Sequence, residues 1–298
     1  MTIPVLAALL IGATMQQQTD TTIAVRAGAR LEVELMNGTV AVRTWNRSAV
    51  RVQATHNRST HIDVSGRGPV IRVTAERRGA EGNADFVFTV PADISIAATG
   101  TGMDAEVNGI RGEVSIENVA GNLRLNGGRG RVRLESVQGD ISVTGATGTV
   151  EVYTVNRGIR LSAVSGTVSA ETVNGPIVME HMQASSVNAE TVNGMIIHDG
   201  ALRAGGEYAF ATHNGAVWLV VPEDAGARIR VETYTGNLDS SFAVTMRKTA
   251  GADARNFSFV IGNGSANVSI ESFGGDVRLR RPGEARPGSN GRNAPLEQ

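Results

Sequence analysis

The side chains with the widest chemical reach in this chain are five histidines and a recurring set of glutamates. His56, His61, His181, His198 and His213 could hold a metal or move protons, but no H-x-x-x-H or H-E-x-x-H spacing joins any two of them. They also fall at unrelated positions of the repeat described below, which makes them structural side chains rather than ligands. Glu117, Glu135, Glu171 and Glu190 sit in one recurring string, with Tyr153 interrupting the series. Carboxylates stacked in that way could form a cation ladder, or could supply the pairs, about 5 to 9.5 Å apart, that glycoside hydrolysis needs. Calcium-binding repeats place Asp in a G-G-x-G-x-D loop, a pattern these corners lack, so a charged and solvated face is expected, its repulsion offset by Arg124, Arg133 and Arg160. No serine nucleophile elbow and no phosphate loop leading into a helix is present. The sequence therefore yields no catalytic, cofactor-binding or metal-binding residue, and no cofactor is expected.

The elements that would position any such group are legible in the composition and the spacing. The chain has 298 residues, 36 of them Gly and none Cys, with 28 basic against 29 acidic side chains and 4% aromatics. Without cysteine there is no disulfide framework, thiolate nucleophile or iron–sulfur cluster. A net charge of -1 gives no field that would draw nucleic acid or an anionic membrane. Trp45 and Trp218 are the only tryptophans, few for stacking on sugars.

Glycines fall every nine residues at Gly112, Gly121, Gly130, Gly139 and Gly148, then at Gly166 and Gly175, with Arg157 filling the gap. The second and fourth positions after each mark are apolar throughout, from Val114 and Ile116 to Ile177 and Met179. Alternation with period two marks strands with one buried face, and the glycines mark corners. The seventh position adds apolar residues, among them Val119, Val137, Ala146, Val164 and Met182. Strings of the type Glu171-Thr-Val-Asn-Gly175 recur every 18 residues and later every 19 to 21, with a late copy at Glu271-Ser-Phe-Gly-Gly275. Asn-Gly pairs, as at Asn174 and Asn193, are read as tight turns. At Arg157 the turn is expected to shift one residue onto Gly158, with the arginine pointing outward.

These periods predict an all-β protein: a single-stranded β-solenoid (β-helix-like) with coils of 18 to 21 residues and capped ends. Residues 1–18 read as a signal peptide, with a short apolar run from Ile3 to Ile11, and 281–298 as a disordered tail rich in Pro, Gly and Arg. Between them 19–280 forms one solenoid domain. It divides into an N-terminal cap or irregular coils over 19–91, regular repeats over 92–236, and a C-terminal cap over 237–280, where Phe242, Phe257, Phe259 and Phe273 gather. No segment is expected to span a membrane.

The glycine-punctuated repeats, with Val90-Pro91-Ala-Asp-Ile94-Ser-Ile96 and a second copy at Val221-Pro222 to Ile229, resemble a bacterial family of proposed adhesins classed as a domain of unknown function. The resemblance covers most of Leu31 to Arg280. It implies an exported, periplasmic, outer-surface or secreted β-helical protein, and no catalytic residues are assigned in that family to carry over. The expected role is non-enzymatic: structural or adhesive interaction at the cell envelope, with an envelope protein or polysaccharide as partner, no nucleic acid, and a monomer or weak self-association. The competing readings are a polysaccharide-processing lyase or hydrolase with a lateral-face site, and a self-assembling scaffold.

Overall fold

In the computed structural model, residues 17–77, 83–242 and 255–284 are described. Among them every regular element is a β-strand. The sixteen alternate apolar positions, from Val114 to Met179, are all buried. Val114, Val132, Val150 and Val168 are successive parallel partners, as are Leu123, Ile141, Ile159 and Ile177. Equivalent residues 18 apart in sequence thus lie side by side, and each turn of the chain contributes two strands to a β-solenoid-like stack. The step lengthens to 19 at Val168 to Val187 and to 21 at Val187 to Tyr208.

The seventh positions divide into two classes. Ala146, Val164 and Met182 are buried, but Val119 and Val137 are exposed. Period-two alternation through Val132 and Leu134 turns Ser136 inward and Val137 outward, and nothing between them breaks the parity. After Val143 and Leu161, by contrast, Gly145 (φ 68) and Ala163 (φ 52) adopt left-handed backbone, as does His181 (φ 55) after Met179. One such residue reverses the side to which its successor points, so Ala146, Val164 and Met182 enter the core.

The Gly139 corner needs glycine for a different reason. A Cβ there would sit 1.9 Å from the carbonyl oxygen of Gly121, one coil away. Gly175 and Gly194 repeat this close approach without positive φ, so these Asn-Gly pairs mark backbone contact rather than left-handed turns. Arg157 occupies the same column and is exposed. The turn does not shift: Ile141 N–H donates to the Gly158 carbonyl and Ile159 N–H to the Pro176 carbonyl, keeping Asp140, Gly158 and Pro176 in one register.

Stacking order departs from chain order at both ends. Strand Arg30–Trp45 lies between Ser95–Ile110 on one side and Val70–Arg77 with Ala84–Pro91 on the other. Similarly, Ala266–Ser272 pairs with both Glu207–Asn214 and Ala227–Thr233, and Val277–Arg280 with both Val217–Val220 and Leu238–Ser240. Part of the segment expected beyond the last repeat therefore lies inside it. Antiparallel strands lie against the outer coils, Arg255–Ile261 on Ala227–Thr233 and Thr60–Arg67 on Val70–Arg77. The two Val-Pro segments make the same turn, with Ile94 N–H donating to the Pro91 carbonyl and Ala225 N–H to that of Pro222.

The expected leader lies almost entirely outside the described residues. At the other end, the beginning of the expected disordered tail is held: the Ser241 hydroxyl donates to Glu284 at 2.6 Å and Arg281 stacks over the Phe242 ring at 4.9 Å.

Candidate functional site

Three columns run along the corner that ends each first strand, and the recurring Glu-Thr-Val-Asn-Gly string builds them. Alternation turns its Glu outward, its Thr inward and its Val outward. The inward column is Asn118, Ser136, Thr154, Thr172, Thr191, Thr212, Ser272 and Thr233, all buried. The Thr154 hydroxyl donates to the Gly139 carbonyl at 3.1 Å, Thr172 to that of Arg157 at 2.9 Å and Thr191 to that of Gly175 at 3.1 Å. Each bond ties a corner to the coil before it and satisfies a carbonyl that the bend would otherwise orphan. The repeated threonine is the sequence signal of this column, and the apolar residue that follows it is the one that faces outward.

The outward Glu column forms as expected. Glu117, Glu135, Tyr153, Glu171 and Glu190 are successive partners; Ala211 follows, then Glu271 and Glu232. Neighbouring carboxylates about 4.8 Å apart repel by about 0.9 kcal/mol in water. Compensation is uneven. Arg133 pairs with Glu135 and, at 3.1 Å, with Glu151, which Arg131 also reaches at 3.2 Å. Arg160 instead serves Glu180 at 3.3 Å. Glu171 and Glu190 take neutral partners, the Ser169 hydroxyl at 3.2 Å and the Asn188 amide at 3.0 Å. Among the described side chains, no arginine lies within 4.0 Å of Glu171, Glu190 or Glu271.

Two residues along from the glutamates stands an exposed apolar ridge. Val119 is 48% exposed, and Val137 and Val192 also face solvent. The ridge continues into stacked rings, His213 on Phe273 at 4.6 Å and Phe273 on Tyr234 at 4.9 Å, with interplanar angles of 9° and 10°. From Met36 at one end to Tyr234 at the other it runs on the order of 43 Å at about 4.8 Å per strand. Beside it the side chains of Asn156, Asn174, Asn193 and Asn214 form an amide ladder with bonds of 2.8 to 3.1 Å. Where the valines give way to rings, the acidic column and the ridge enclose a groove of about 470 Å³ lined by Glu171, Glu190, Glu232, Glu271, His213, Phe273, Tyr153 and Tyr234.

The histidines do not converge. His181 is exposed at its left-handed corner, and His213 belongs to the ridge. His56 lies near the Thr19 hydroxyl at 3.4 Å, and His61 pairs in register with Glu76. His198 is in the core between Met179 and Leu219, packed against Tyr208 and Phe210, with both ring nitrogens unpartnered. Burial pushes its pKa down from 6.5 to about 4, against the opposing charge of Asp199. A neutral, sealed imidazole is a packing group. Elsewhere Asp20 is held below the usual carboxylate range by the hydrogen bond from Arg51, and Asp239 by that from Arg280.

The family described as Toastrack DUF4097 matches residues 29–280. No curated protein matches the chain. Among solved structures, a candidate adhesin of Bacteroides fragilis is similar at 9% identity, over 90% of this chain and 98% of that one, with a TM-score of 0.44. A candidate lipid-binding protein of Parabacteroides distasonis is similar at 10% identity, over 88% and 96%, with a TM-score of 0.34. A candidate adhesin of the same species gives 12% identity, 89% and 97% coverage, and a TM-score of 0.31.

Proposed function

We propose that this chain, which belongs to the Toastrack DUF4097 family, is a non-enzymatic interaction protein of the bacterial cell envelope that binds through the long corner carrying the acidic column and the apolar ridge. The observation that carries this reading is the ridge itself. Solvent-facing Val, Phe and Tyr side chains recur in register along the stack, where a merely solvated corner would carry polar residues. Regular repetition suits an extended partner, since each coil adds one more equivalent contact. The titratable groups support the same reading: the imidazole whose pKa burial lowers is sealed in the core, and the glutamates stand in a row rather than around a shared point.

Within this proposal the protein is exported, residues 1–18 are its leader, and the antiparallel strands at both ends act as caps that shield the outer coils from edge-to-edge pairing. The coils of 18 to 21 residues between those caps form one continuous domain, active as a monomer or in weak self-association. A polysaccharide-cleaving enzyme is the rival that the carboxylate-lined groove invites. Incubating the purified protein with immobilised envelope polysaccharides and envelope proteins separates the two. Retention without product release, lost when Val192 and Phe273 are both replaced by serine, is the expected result. Sustained cleavage abolished by a single Glu→Gln change would overturn it.

A further inference from the structure

The corner surface carries a narrower assignment, which rests on the interaction reading above. We propose that the groove between Tyr153 and Tyr234 receives a cationic amphipathic polypeptide segment, whose Lys or Arg side chains meet the glutamates while its apolar side chains lie on the ridge. Charge comes first. Arginines neutralise Glu135 and Glu151 further along the stack, yet Glu171, Glu190 and Glu271 have none within 4.0 Å among the described side chains. That uncompensated stretch coincides with the place where the ridge turns from valine to rings, so negative charge and apolar area are offered together. Nucleic acid and anionic lipid are repelled by such a surface.

Ring geometry then favours a polypeptide over a sugar. His213, Phe273 and Tyr234 are stacked face to face, so they present mainly their edges, and stacking on a pyranose needs an open face. Edges serve aliphatic side chains equally well. The ridge stands two residues from the carboxylates, about 6.6 Å along a strand, which a partner bearing neighbouring basic and apolar side chains can span. A metal ion or a purely polar polycation would leave the ridge exposed.

The test is fluorescence anisotropy with a labelled peptide of alternating Lys and Leu at about 0.15 M salt. The comparison ligands are an alternating Glu-Leu peptide, polylysine and Ca²⁺. The variants are Glu171→Gln with Glu190→Gln, Glu232→Gln and Glu271→Gln, and separately Val192→Ser with Phe273→Ser. An unchanged urea midpoint shows that a variant is folded, and the salt dependence of wild-type binding reads the charge contribution without any mutation. The Lys-Leu peptide is expected to bind, with affinity falling at higher salt and weakened at least about tenfold by either variant. The proposal is overturned if the peptide does not bind, if Glu-Leu binds as well, if either folded variant binds unchanged, or if polylysine or Ca²⁺ matches the peptide regardless of the ridge. Envelope retention by a protein indifferent to the peptide would remove this assignment alone, whereas loss of envelope retention removes the broader reading.

Discussion

Replacing His198 with leucine should flatten the acid limb of this protein's stability. The imidazole is buried between Met179 and Leu219, neither ring nitrogen has a partner, and its pKa is about 4 against 6.5 when unstructured. The folded state therefore holds it neutral over a range in which the unfolded chain takes up a proton. Unfolding binds protons, so stability is full above pH 6.5 and falls by about 1.4 kcal/mol per pH unit towards pH 4. By pH 5 the loss is about 2 kcal/mol, roughly 4 to 8 °C in Tm for a domain of this size. Carboxylates held below their usual range, such as Asp20 and Asp239, act in the opposite sense and lower on the scale: they contribute above the unfolded carboxylate pKa and are lost beneath it. The His198 contribution therefore falls between pH 5 and 6.5, above the range of those carboxylates. Urea unfolding followed by far-UV circular dichroism at pH 7, 6 and 5 reads the effect directly. The leucine variant should be at least as stable at pH 7, having lost two unpaired buried nitrogens, and should change by less than about 0.5 kcal/mol down to pH 5. A wild type that is flat over this interval, or a variant with the same slope, would refute the reasoning.

Three further outcomes test the arrangement of the core. Leu134→Asp buries an unpaired charge and should cost about 3 to 5 kcal/mol, while the adjacent Glu135→Gln, which loses a surface pair with Arg133, should stay within about 1 kcal/mol; equal urea midpoints would invert the inward and outward assignment. Thr154→Val removes the bond to the Gly139 carbonyl while keeping the shape, with an expected loss of about 1 to 3 kcal/mol by chemical denaturation, and a neutral result would show that the inward threonines do not tie the coils. Ala163→Gly relieves a left-handed φ of 52°, worth about 1 to 2 kcal/mol less the backbone entropy of glycine, so the melting temperature should hold or rise.

The inward strand positions were readable from the sequence because period-two burial leaves a direct trace in residue type, as the buried pairs Val132 with Leu134 and Ile141 with Val143 show. The corners were harder. Val137 and Ala146 hold the same place in the nine-residue count, and only a single left-handed residue, Gly145, sends one outward and the other in. Composition does not announce that difference, since His181 fills the same backbone role as Gly145. Val119 and Val137 of the ridge share their place in the count with the buried Ala146, so residue type alone does not mark them as solvent-facing. Stacking order at the ends was not legible at all. Ala227–Thr233 and Ala266–Ser272 share one alternating burial pattern, so either could have paired with Glu207–Asn214, and side-chain periodicity has no means of choosing.

The transposed coils at the two ends govern how the molecule bears load. In a stack built in chain order, a tug on the last residue would peel one coil from its single neighbour, bond after bond. Here Val277–Arg280 is gripped on both edges, so tension arriving from the C-terminal side must shear two ladders together. Strand Arg30–Trp45 is clasped likewise at the opposite end.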